Sequence, residues 1–120
     1  MDIEAFMNYC LAKPGVTQSF PFGGDALVFK VMSKMFALTG IDTLPPAANL
    51  KCDPGYAEEL RERFEDIKPG YHMSKKHWNT IQLEGNIGDK LIAELIDQSY
   101  DLVRKSLTKA ERTALDGLDL

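Results

Sequence analysis

The sequence predicts an α+β fold in two layers, an antiparallel sheet with helices packed on one face. Three observations predict it. Short β-branched and aromatic runs neighbour one another across tight turns, as antiparallel pairs require. Amphipathic helical stretches open the chain, divide the strand runs and close it. Strands and helices do not alternate regularly, which argues against a doubly wound parallel sheet. The expected order is α-β-β-β-α-β-β-α. It leaves the second sheet face partly open, with loops at its rim where binding is expected.

Each element follows from local chemistry. Asp2 to Ala12 places Ile3, Phe6, Met7, Cys10 and Leu11 at helical spacing, with Asp2 as N-cap and Lys13-Pro14-Gly15 as terminator. Val16 to Gly24 reads as a loop broken by Pro21 and Gly23-Gly24, with Phe20 and Phe22 folding back over one edge of the core. Ala26 to Val31 and Met35 to Thr39 read as strands joined by a Met32-Ser33-Lys34 tip. Gly40 to Pro46 is a second turn. Ala47 to Cys52 is a strand with Ala48, Leu50 and Cys52 on one face and Asn49 and Lys51 on the other.

Asp53-Pro54 is a strong helix start, and Ala57, Leu60 and Phe64 give that helix a buried stripe. Ile67 to Tyr71 and Trp78 to Glu84 form a second strand pair around a Met73–His77 loop. Ile81 and Leu83 share a face there, opposite Thr80 and Gln82. After the Gly85-Asn86 turn, Asn86 or Asp89 opens a long helix reaching about Leu107. Its stripe is Leu91, Ile92, Leu95, Ile96, Tyr100, Val103 and Leu107, and its acidic outer face (Glu94, Asp97, Asp101) reads as solvated. Thr108 to Glu111 resembles a capping box opening a short last helix.

Size and composition bound the function. A chain of 120 residues suits one domain, residues 1–120. Apolar content of 44% with 27% charge is that of a soluble globular protein. The apolar runs fall far short of the roughly 20 residues that span a bilayer, so no membrane role is expected. The acidic start, Met1-Asp2-Ile3-Glu4, has no basic leader region, which points to the cytoplasm. Cys10 and Cys52 read as reduced, buried thiols, a disulfide requiring that they meet in space.

Charge is uneven. The net charge is −4. Residues 1–60 hold four basic and seven acidic side chains, residues 61–80 five and three, and residues 81–120 five and eight. The positive island includes Lys68-Pro-Gly-Tyr-His-Met-Ser-Lys-Lys-His-Trp-Asn-Thr80, with both histidines, the only tryptophan and no acid. Lysines contact phosphates and aromatic rings stack on exposed bases, so Lys68, Tyr71, His72, Lys75, Lys76, His77 and Trp78 form a candidate nucleic-acid surface, with Lys30 and Lys34 flanking the first hairpin tip. The plainer reading has Trp78 and Tyr71 anchoring the strand pair in the core and the lysines solvated.

Other chemistries find little support. His72 and His77 would need a third ligand to hold a metal, and the nearby sequence offers none. No cofactor motif is present, so no cofactor is expected. There is no Gly-x-Ser-x-Gly elbow, phosphate-binding glycine loop or His-Glu-x-x-His, and Cys10 on an apolar helix face is a poor nucleophile. The chain is not expected to be an enzyme.

Several short stretches carry a family resemblance. They are Cys10-Leu-Ala-Lys13-Pro14-Gly15, Pro21-Phe22-Gly23, Val28-Phe29-Lys30-Val31, Lys34-Met35-Phe36-Ala37-Leu38 and Leu50-Lys51. The strongest is Pro69-Gly-Tyr-His-Met-Ser-Lys-Lys-His-Trp-Asn-Thr80, followed by Leu83-Glu-Gly85 and Ser99-Tyr100. In order and spacing they resemble the bacterial MmcQ/YjbR family nearly end to end. The resemblance implies a two-layer α+β fold similar to that of secretion chaperones and a double-wing DNA-binding role. Two functions follow as expectations. The first is weak DNA binding, largely without sequence preference, through the Lys68–Trp78 loop and the Lys30/Lys34 hairpin. The second is a protein-interaction module, in which the open sheet face and the Pro21–Asp25 loop dock a peptide or partner strand.

Overall fold

The structure, a computed structural model, describes residues 1–70 and 73–118. The chain opens with helix α1 (Ile3–Leu11), whose N-cap Asp2 accepts a hydrogen bond from the Ala5 amide at 2.7 Å. Four strands follow, β1 (Val16–Ser19), β2 (Ala26–Val31), β3 (Lys34–Gly40) and β4 (Ala47–Lys51). Helix α2 (Pro54–Arg63) starts where the Asp53 side chain caps it, with Pro54 in the first turn. Strands β5 (Ile67–Pro69) and β6 (Trp78–Gln82) precede the long α3 (Asp89–Lys105) and the closing α4 (Lys109–Leu118).

All six strands join one antiparallel sheet in the order β1-β2-β3-β4-β6-β5. Helix α3 lies across β2, β3 and β4, α1 packs at β1, and α2 packs at β5 and β6. The core sits between sheet and helices. Phe6, Phe29, Phe36, Leu50, Ile81 and Ile96 are fully buried in it. Phe6 meets Phe29 edge-on and Phe36 meets Tyr100 in the same way. In β3 the register slips by one: Phe29 faces Ala37 and Lys30 faces Met35. The extra residue, Phe36, turns with Ala37 into the core and leaves Met35 on the opposite face.

The fold class is the one the sequence predicts, and several details differ. Val16–Ser19 is an edge strand paired with β2, although the sequence reads as loop there. Phe20 and Phe22 do not cover the core; they are 45% and 72% exposed. Phe64 is the C-cap of α2 and is half-buried, because the helix stops one residue before its stripe would bury it. Strand β6 ends at Gln82. Of the two openings expected for α3, the structure takes Asp89, with Gly88 as N-cap, and the helix ends at Lys105 with Leu107 buried beyond it.

Asp97 is more than a solvated acid. It accepts from the Tyr9 hydroxyl at 2.9 Å and pairs with Lys13, whose ammonium lies 5.2 Å from the Tyr9 and Tyr100 ring centres. Burial, and then the bond to Asp97, push the Tyr9 phenol upward. Both cysteines are free and buried. Among the described residues, no helix is long and apolar enough to cross a membrane.

Candidate functional site

Strand alternation sorts the sheet into two faces. In β6, Asn79 and Ile81 point at the helices: Asn79 donates to the Ala57 carbonyl and accepts from Arg61 at 2.9 Å, and Ile81 lies in the core. Trp78, Thr80 and Gln82 therefore belong to the other face. Facing partners share a face, so pairing register extends this assignment across the sheet. Lys68, Thr80, Asn49, Leu38, Val28 and Ser19 stand opposite one another from β5 to β1. The Thr80 hydroxyl donates to the Asn49 side chain and ties β6 to β4 on this face.

Above these residues lies a groove of about 580 Å³. Leu38, Ala47, Asn49 and Thr80 form its floor, and Phe22 and Met73 rise from loops at its sides. At one end the two long turns are tied together. The Ile41 amide donates to the Asp25 carbonyl at 3.0 Å, and the Thr43 hydroxyl donates to the Asp25 carboxylate at 3.4 Å. Those turns and the preceding strand end present Phe20, Phe22, Ile41 and Leu44 to solvent, Leu44 at 86% exposure. By contrast, the core holds a void of only about 10 Å³ beside Leu50 and Leu60, no larger than a water requires.

The charges that the strands carry are of one sign. The six strands contain four lysines and no Asp or Glu. Lys30 faces Met35, Lys51 faces Trp78 and Lys68 faces Thr80, which places all three lysines on the open face. Lys34 faces Val31 instead, and its ammonium donates to the Ser106 carbonyl at 2.7 Å, at the negative end of α3. The neighbouring Ser33 donates from its amide and hydroxyl to Glu111 of α4. The β2–β3 tip is thus held by the helices.

The other sequence-predicted residues divide. Trp78 is 8% exposed and packed, yet it falls outside the core cluster beneath the helices, as does buried Val28. Lys75 and Lys76 are exposed and meet Arg61 and Glu58 around a second recess of about 380 Å³ at the start of α2. Arg61 is held there by the Lys75 carbonyl and Asn79. None of the four ion pairs among the described residues engages Lys30, Lys68, Lys75 or Lys76. His77 is exposed, and its backbone closes the loop onto Ser74 and Cys52. Tyr71 and His72 lie outside the described residues. Sequence reasoning missed Met35, Leu38, Asn49, Met73 and Thr80 as site residues. The Asn49/Lys51 and Thr80/Gln82 alternation was readable, but the pairing that joins them was not.

The family model described as YjbR matches residues 11–102. The uncharacterized protein YjbR of Escherichia coli K12 is 36% identical over 115 residues, covering 96% of this chain and 98% of that protein. The uncharacterized protein YyaQ of Bacillus subtilis is 41% identical over 81 residues, covering 65% of this chain and 64% of its own length. The crystal structure of Deinococcus radiodurans protein DR2400, a DUF419 domain, superposes with a TM-score of 0.88 at 43% identity, covering 95% of this chain and 87% of that one. A Pseudomonas syringae protein crystal structure superposes at 0.74 with 31% identity, covering 85% and 98%.

Proposed function

The chain belongs to the YjbR family, and from that premise we propose that it is a protein-binding module without catalytic activity, its open sheet face docking an extended segment of a partner. The observation that carries this reading is the groove of about 580 Å³, apolar along its sides and rimmed by exposed Phe22. Large exposed apolar side chains gathered at one end of a small domain are the usual mark of an interaction surface. The thiols favour a non-catalytic role. Burial pushes Cys10 up to about 12 and Cys52 up to about 11, so both stay protonated near neutral pH.

Peptide-array selection followed by NMR titration tests the docking reading. Bound peptides should shift the amides of Leu38, Asn49, Met73 and Thr80. Leu38→Asp should weaken binding by about tenfold or more with the fold retained. Shifts confined to the helical layer would refute it.

A second reading, weak DNA binding, has one specific observation in its favour: Arg61, Lys75 and Lys76 converge on one recess. Against it, the Trp78 ring is packed and the first hairpin tip is clasped by α3 and α4. Labelled duplex titrated at low salt decides. Binding that weakens steeply with salt and is lost on replacing Lys75 and Lys76 with Ala would support a polynucleotide.

A further inference from the structure

We propose that the open face selects an acidic partner, an extended segment with carboxylates toward both ends and apolar side chains between them. This rests on the protein-docking reading and names the chemistry of its partner. Charge complementarity across the open face points to this partner. Lys30 of β2, Lys51 of β4 and Lys68 of β5 occupy open-face positions, and no strand carries an acid to neutralise them. The chain as a whole is acidic, at −4, so its carboxylates are displaced onto helices and turns. Asp25 and Asp42 sit in the end turns, and Asp25 is engaged by Thr43.

The spacing sets the size of the segment. In the strand order, β2 and β5 are separated by β3, β4 and β6. At about 4.8 Å per strand, Lys30 and Lys68 stand roughly 19 Å apart across the sheet. An extended chain advances about 3.3 Å per residue, so about six residues bridge them. Met35 and Leu38 lie between, with Phe22 and Met73 alongside, to receive the central apolar side chains. A partner with lysines in place of its acids would meet three ammonium groups with no carboxylate on the strands to offset them.

Fluorescence anisotropy at low salt tests this with three labelled peptides of eleven residues. One has acidic ends and a Leu-Val-Phe-Leu-Val centre. Its twins carry lysine at the ends, or serine at the centre. Each exposed ion pair contributes a factor of about two, so the acidic peptide should bind about tenfold tighter than the lysine twin. Replacing Lys30, Lys51 and Lys68 with Ala should shrink that ratio to about twofold or less without loss of fold, since these ammonium groups support no contact in the core. A lysine twin that binds equally well overturns the acidic preference and leaves docking intact. A serine twin that binds as tightly as the acidic peptide overturns the apolar requirement. If no peptide binds, the docking reading fails with it. Displacement of the acidic peptide by labelled duplex DNA at equal charge concentration would show a generic polyanion surface and overturn the proposal.

Discussion

At the scale of residues, aromatic character and role come apart. Trp78 is packed and Phe22 stands in solvent, although the sequence suits either residue to either place. The reason is physical: rings are equally at home in a core and at an interface, and only their surroundings decide. Trp78→Ala should therefore cost about 3–5 kcal/mol in a urea titration, while Phe22→Ala should stay within about 0.5 kcal/mol and be felt only in ligand binding. Lys68, Lys75 and Lys76 were legible as a positive island and Lys30 and Lys34 as flanking a hairpin tip, but their division among sheet face, α2 recess and α3 clasp depends on contacts far away in sequence. Cys10 gives a pH signature. Its thiol rises from 9.0 to about 12, mainly through burial, because the neutral form is favoured in the folded chain. The folded state keeps this contribution below pH 9 and loses it as pH climbs toward 12, where the unfolded thiol ionises first. Stability measured by denaturant should fall over that window, and the fall should shrink in Cys10→Ala, leaving the smaller part that Cys52, raised to about 11, contributes there.

At the scale of elements, strong local signals survived and weak ones did not. Helices α1 and α2 announced themselves through Asp caps and Pro54. Strand β1 did not, because three of its four residues are polar and exposed and only pairing with β2 makes it a strand. The corner before it is sensitive. Gly15 has φ of +73°, and a Cβ there would lie 2.5 Å from a Leu115 methyl. Gly15→Ala should cost about 1–3 kcal/mol, read as a lower melting midpoint, because it combines left-handed strain with a clash against α4. Helix α4 also depends on Glu111. The bonds from Ser33 lead in holding its carboxyl below the usual value of 4.5. Its contribution is present above that value and lost as pH falls through the lowered one. Hydrogen exchange should show α4 loosening from the β2–β3 tip in mild acid, and Glu111→Gln should loosen it already at neutral pH.

For the whole molecule, the two layers divide the chemistry. Fold class was readable because helical and strand periodicities are local. The open face was expected as a docking surface, but the residues of its floor were not, because β6 inserts between β4 and β5 and brings Asn49 to Thr80 from 31 residues away. No local pattern encodes that neighbour relation. The carboxylates sit on helices and turns, and the only charged side chains of the six strands are four lysines. A naked sheet with apolar side chains invites lamination onto its own kind. Here two copies laid sheet to sheet would set ammonium against ammonium, so the surface repels its twin while staying open to a stranger. Sedimentation should find solitary chains at low ionic strength. Substituting Ala for Lys30, Lys51 and Lys68 should let them pair.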